Sequence, residues 1–189
     1  PNRILTPPHV VLDEQSQEKP DLRVRMEVTK HDVTAKVTWP GANDCDVAVL
    51  EAEVDRKPPL HPLLGLSSDA IATNTPWEAQ GYPAVRDEQP STKLEQVRGL
   101  ACEFVVGSPN VRLDVDAAPD KFNGLSGGAV VVCRRIVAVM RAAPNNWGGR
   151  RLEATPVSAF LDNPAFRSAL GLTEQDDELA KDLTALEAD

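Results

Sequence analysis

The chain has 189 residues, 41% of them hydrophobic, which is enough for one well-buried domain or two small packed ones that fold without disulfide staples. Its 29 acidic against 20 basic residues leave a net charge of -9, which argues against a general binder of nucleic acid or of an anionic membrane, because both demand a positive face. No run reaches the roughly 20 apolar residues that a membrane span needs, and the opening PNRILTPPHVV lacks the charged-then-apolar pattern of a signal peptide.

In chain order, Leu22, Val24, Met26 and Val28 alternate with charged residues, and Val33, Ala35, Val37 and Trp39 alternate with polar ones. A period of two predicts strands. Further short apolar segments stand at 46–50, 79–82, 94–100, 102–106, 111–115, 129–132, 136–140 and 151–155, separated by Gly, Pro, Asn and Asp. Many short strands with turns between them predict an all-β barrel or sandwich. Helix enters late: Val157, Phe160, Leu161, Phe166 and Leu170 suit a helix interrupted near Pro164. Beyond Gly171, Leu179, Leu183 and Leu186 recur at helical spacing, with Thr173 as the N-cap and acids in the first turn. The segment 57–75, with KPPLHP and GLSSD, reads as a long loop between two β-rich halves.

The three cysteines, Cys45, Cys102 and Cys133, are odd in number, widely spaced, and lie in or beside apolar runs. That fits reduced core thiols and a cytoplasmic compartment better than a disulfide framework. No CxxC or HExxH spacing occurs, so neither a metal site nor any other cofactor is expected.

The segment FNGLSGGAVVV, residues 122–132, crowds glycines around Ser126 and runs into an apolar strand. Gly124-Leu125-Ser126-Gly127-Gly128 fits the G-x-S-x-G pattern of a nucleophile elbow, but that fold needs a histidine after the serine, and His9, His31 and His61 all precede it. No Lys-Ser or Lys-Thr follows the glycines, which removes a phosphate loop. Serine chemistry needs an imidazole to take the hydroxyl proton, a carboxylate to hold that imidazole, and two N–H groups aimed at the developing oxyanion. Glycines beside the serine allow the close backbone approach this requires. The bland alternative is a glycine-rich turn between strands.

The neighbours favour the chemistry. His9 follows a short apolar strand in ILTPPHVV, and Asp46 heads another in NDCDVAVLE. Leu5-Thr6-Pro7-Pro8-His9, Asp46-Val47-Ala48-Val49-Leu50 and Gly124-Leu125-Ser126-Gly127-Gly128 together resemble the three marks of the trypsin-like, chymotrypsin-fold serine peptidases: Leu-Thr-Ala-Ala-His, Asp-Ile-Ala-Leu-Leu and Gly-Asp-Ser-Gly-Gly. The resemblance runs from about Arg3 to Gly171. Through EQVRG (95–99), LDVDAAP (113–119) and GGRRLEATPVSAFLDNPAF (148–166), it looks closest to the intracellular trypsin-like domains of actinobacterial multidomain proteins.

It implies a double β-barrel with a C-terminal helix, with His9 as general base, Asp46 as its orienting carboxylate and Ser126 as nucleophile. The N–H groups of Gly124 and Ser126 would form the oxyanion hole. A substrate pocket would involve Asp120, Met140, Arg141 and Ala142, with Arg150 or Arg151 near enough to offset Asp120. The implied partners are a protein or peptide substrate and modules such as NTPase, TPR or β-propeller domains, in conflict or signalling systems.

Competing residues have plainer readings. His31 falls in a strand-like region and His61 in a proline-rich loop, where surface or structural roles fit better. Asp44 would share a strand face with Asp46, which is preferred through the DVAVL match. The order Asp46, His61, Ser126 of a subtilisin is formally available, but the run of short strands does not suit that α/β fold.

Three departures stand out. Leu125 replaces the aspartate that trypsin-like zymogens pair with a freed N-terminal amine, so that switch is not expected. Pro7-Pro8 replaces two alanines before the histidine, restricting the turn. Only eight residues precede His9, where the family has at least two strands, so a missing N-terminal segment is expected to complete the first barrel.

The expected organisation is a partial N-terminal barrel over 1–56, an inter-barrel loop over 57–75, a C-terminal barrel over 76–156, a helix over 157–171 and an acidic helical tail or linker over 172–189. The function expected is a serine endopeptidase within a larger sensor or effector protein. The alternatives are a catalytically weak or inactive domain of the same fold that holds a peptide in its cleft, and a purely structural β-domain.

Overall fold

The computed structural model describes residues 2–26, 31–41, 45–53, 65–81, 94–104, 109–116, 124–142 and 150–173. Its first half is a four-stranded antiparallel sheet in the order β1-β4-β3-β2, made of β1 (Asn2–Thr6), β2 (Arg23–Met26), β3 (His31–Trp39) and β4 (Ala48–Ala52). β4 is buried on both faces. Ala48 and Leu50 pack with Val11 on one side, while Val49 joins Trp39 and Phe166 on the other. Hence the unbroken apolar run from Val47 to Leu50, where an exposed strand would alternate. Arg3, Glu51 and Lys36 stand opposite one another across β1, β4 and β3, and Glu51 pairs with both cations.

The second half is a closed six-stranded barrel, β10-β7-β6-β5-β8-β9, made of β5 (Pro76–Gly81), β6 (Glu95–Phe104), β7 (Val111–Val115), β8 (Ala129–Val132), β9 (Arg135–Ala142) and β10 (Arg151–Pro156). Its interior holds Trp77, Ala79, Val97, Val111, Leu113, Leu125, Val130, Met140 and Leu152. The two apolar segments expected at 94–100 and 102–106 run, as far as the described residues go, into one strand, β6, from Glu95 to Phe104. The register with β7 shifts between Ala101 and Phe104, so a bulge breaks the alternation while the ladder continues.

The late helical pattern resolves into a 3-10 turn (Val157–Ala159) and a separate helix, α2 (Pro164–Leu170). Pro164 does not interrupt a helix; it opens one. Its fixed φ suits the first helical position, and Asn163 Oδ1 accepts from the N–H groups of Ala165 and Phe166 at 2.9 and 3.2 Å. Gly171, at φ 70°, closes the helix, with its N–H bonded to Ser168 O and that of Leu172 to Arg167 O. Phe166 packs edge-on against Trp39 and Phe160, at centroid distances of 5.2 and 4.8 Å. With Val139 of β9 in the same cluster, this core ties the sheet to the barrel.

Candidate active site

β1 ends at Thr6, and the chain turns at once into a single helical turn, α1 (Pro8–Val11), which carries His9. The two prolines suit this turn. Pro7 is extended at its N-cap, and Pro8 takes the first helical position, where the missing N–H leaves no bond unmade. The His9 ring is exposed, and its carbonyl accepts from Lys19 Nζ at 2.8 Å. β1 pairs with β4 so that Thr6 stands opposite Ala48. Asp46, two residues before Ala48, therefore reaches the same end of the strand pair as His9, held between buried Cys45 and Val47.

Ser126 comes from the barrel. The turn 124–128 is anchored to β9: Gly127 N–H donates to Met140 O, and Met140 N–H to Gly128 O, both at 2.8 Å. Gly127 has φ +87°, and a Cβ there would lie 3.2 Å from Thr6 Oγ1 and 3.4 Å from Thr6 Cα. The serine turn thus rests directly on the end of β1, three residues from His9. Only glycine combines that φ with so close an approach. Among the described residues, the N–H groups of Gly124 and Ser126 donate to no partner.

The hydrogen bonds converge on a residue that sequence reasoning had assigned only to the pocket. The Ser126 hydroxyl donates to the Arg141 carbonyl at 3.1 Å. The Arg141 guanidinium pairs through Nε with Asp46 Oδ2 and through Nη1 with Glu153 Oε2, the latter at 3.1 Å. Among the described residues, the His9 imidazole makes no hydrogen bond to Asp46 or Ser126. Glu153 was not singled out in the sequence. It reaches Arg141 through the β9–β10 pairing, in which it stands opposite Ala142, and no sequence feature marks it, just as nothing local links Asp46 to a residue 95 positions away.

Of the other pocket candidates, Met140 has its side chain in the barrel core and Ala142 ends β9. Asp120, His61 and Asp44 lie outside the described residues, and His31 is exposed at the start of β3. Arg151 on β10 pairs with Asp114 of β7 at 2.8 Å, and Arg150 is exposed. A cavity of about 200 Å³ between Asn74, Leu100, Cys102, Asp114 and Asp116 shares no lining residue with the triad candidates. Burial pushes the Cys45 thiol up to about 11, so it is not a rival nucleophile near neutral pH. Among the described residues, no three His, Cys, Asp or Glu side chains are grouped to hold a metal ion.

No family model and no curated protein sequence matches the chain. Solved structures do. An inactive form of Rv3671c from M. tuberculosis, a serine-to-alanine mutant, superposes with a TM-score of 0.61 at 16% identity, covering 85% of this chain and 74% of that one. The HtrA-type protease AlgW with a decapeptide gives 0.60 at 20% identity, over 93% and 49% of the two chains. A mutant of human heparin binding protein (CAP37) gives 0.63 at 17%, over 86% and 83%.

The chain has the trypsin-like double-barrel fold. The His9 turn and Asp46 flank strands of the first sheet, and Ser126 lies in a turn of the closed barrel that meets the end of β1 at Thr6.

Proposed function

We propose that the protein is a serine endopeptidase in which His9, Asp46 and Ser126 form the catalytic triad. The observation that carries this is the seating of the Ser126–Gly127 turn on the end of β1, beside the His9 turn and at the Asp46 end of the β1–β4 pair. In the reaction, Ser126 Oγ attacks the peptide carbonyl carbon while His9 takes the hydroxyl proton. The N–H groups of Gly124 and Ser126 bind the oxyanion. His9 returns the proton to the departing amine, and a water, deprotonated by His9, then cleaves the acyl ester and restores the serine.

The rest of the reading draws on the same features. Leu125 leaves no carboxylate for an inserted amine, so activation by trimming to a new N-terminus is not part of it. The substrate is a protein or peptide, and the domain works as one module of a larger sensor or effector protein of the intracellular kind that the sequence resembles. Three free cysteines are in keeping with a reducing, cytoplasmic setting.

A fluorophosphonate probe tests the core claim. Ser126→Ala is expected to abolish labelling and to lower peptide hydrolysis by about 10⁴-fold or more. Absence of labelling in the intact protein, with its partner modules present, would remove the peptidase reading. It would favour instead a peptide-holding domain, to which the hydrogen bond from Ser126 to Arg141 O rather than to His9 already lends weight.

A further inference from the structure

Arg141 engages two of the three triad candidates at once, its carbonyl taking the Ser126 hydroxyl proton and its guanidinium drawing one oxygen of Asp46. A serine hydroxyl has one proton, and here that proton goes to the Arg141 carbonyl. The carboxylate that would hold the imidazole is paired with the Arg141 guanidinium. The same guanidinium reaches Glu153 on β10, so two carboxylates share one cation.

Resting on the peptidase reading above, we propose that Arg141 is a latch on the triad, a positioning residue that holds Asp46 away from His9 in the resting enzyme, and that Glu153 is the site to which the guanidinium withdraws when the triad assembles. The planar fork of arginine suits this role, because it can keep one carboxylate while releasing the other, whereas the point charge of lysine cannot span both. The pair is open to solvent, with Arg141 36% and Asp46 30% exposed, while Glu153 is the more enclosed partner at 17%. A part-exposed pair of this kind is modest in strength and weakened by salt, which suits a contact that must open during turnover.

The test measures the rate of fluorophosphonate labelling, in which Ser126 Oγ bonds to phosphorus, fluoride leaves, and the hydroxyl proton passes to His9. Arg141→Met is expected to label about three- to fivefold faster than wild type, and Arg141→Lys to fall between them. Glu153→Gln leaves Asp46 as the sole claimant and is expected to slow labelling by a similar factor. Raising NaCl should quicken wild type and leave Arg141→Met unchanged, a response that a purely structural arginine would not give. Should Arg141→Met melt early, Glu153→Gln and the salt series on wild type decide. Ser126-dependent labelling of wild type that Arg141→Met slows or leaves unchanged, or that Glu153→Gln and salt do not move, overturns the latch and spares the peptidase reading. No Ser126-dependent labelling in any variant at any salt concentration overturns both.

Discussion

Leu125 sits between Gly124 and Ser126 with its side chain 2% exposed in the barrel core, and a Cβ on Gly81 would come within 2.6 Å of its Cδ2. Its position ties the serine turn to the barrel through packing, where a carboxylate would have to find a charged partner. Leu125→Asp is therefore expected to destabilise the fold by about 4 kcal/mol or more, because it buries an unpaired acid and loses apolar contact. Chemical denaturation measures this. A variant as stable as wild type, with a rise in peptide hydrolysis after N-terminal trimming, would mean that the site accepts the amine switch after all. Close approach governs Gly99 in the same way: a Cβ there would stand 1.8 Å from the Asp114 carbonyl oxygen on β7, so the β6–β7 pairing depends on its absence.

At the scale of elements, α2 is short, and its stability comes from its caps and from the two ring contacts of Phe166 rather than from length. Phe166 is fully buried between Trp39 and Phe160. Phe166→Ala should cost about 3–5 kcal/mol, read by thermal or chemical unfolding, and should loosen the cluster that joins Val139 of the barrel to the first sheet. A loss under about 1 kcal/mol would show that α2 is not a structural tie.

Element boundaries followed local chemistry where that chemistry was unambiguous. The apolar segments at 111–115 and 129–132 coincide with β7 and β8. β5 begins at Pro76, three residues before the expected start at 79, because proline is tolerated as the first residue of a strand even though it reads as a break. The expected 46–50 strand starts at Ala48, which leaves Asp46 in the approach to β4, off the ladder. The merging of the two segments in β6 was invisible because a bulge shifts the side-chain period without ending the backbone pairing.

At the scale of the whole molecule, the halves differ in closure. The barrel is complete, whereas among the described residues β1 and β2 each pair on one side only. Unpaired edges leave N–H and C=O groups without ladder partners and invite association.

The sequence by itself determined the strand-rich class, the order of His9, Asp46 and Ser126, and the glycines that let the serine turn approach another backbone, because each of these is written in local periodicity or in residue type. Tertiary structure alone decided that the serine turn rests on Thr6 and that Arg141 takes Asp46, a partner 95 positions away. Such contacts carry no periodic signature. They arise when the barrel and the sheet dock through Val139, Trp39 and Phe166, and which polar groups then meet at the seam is a matter of that geometry.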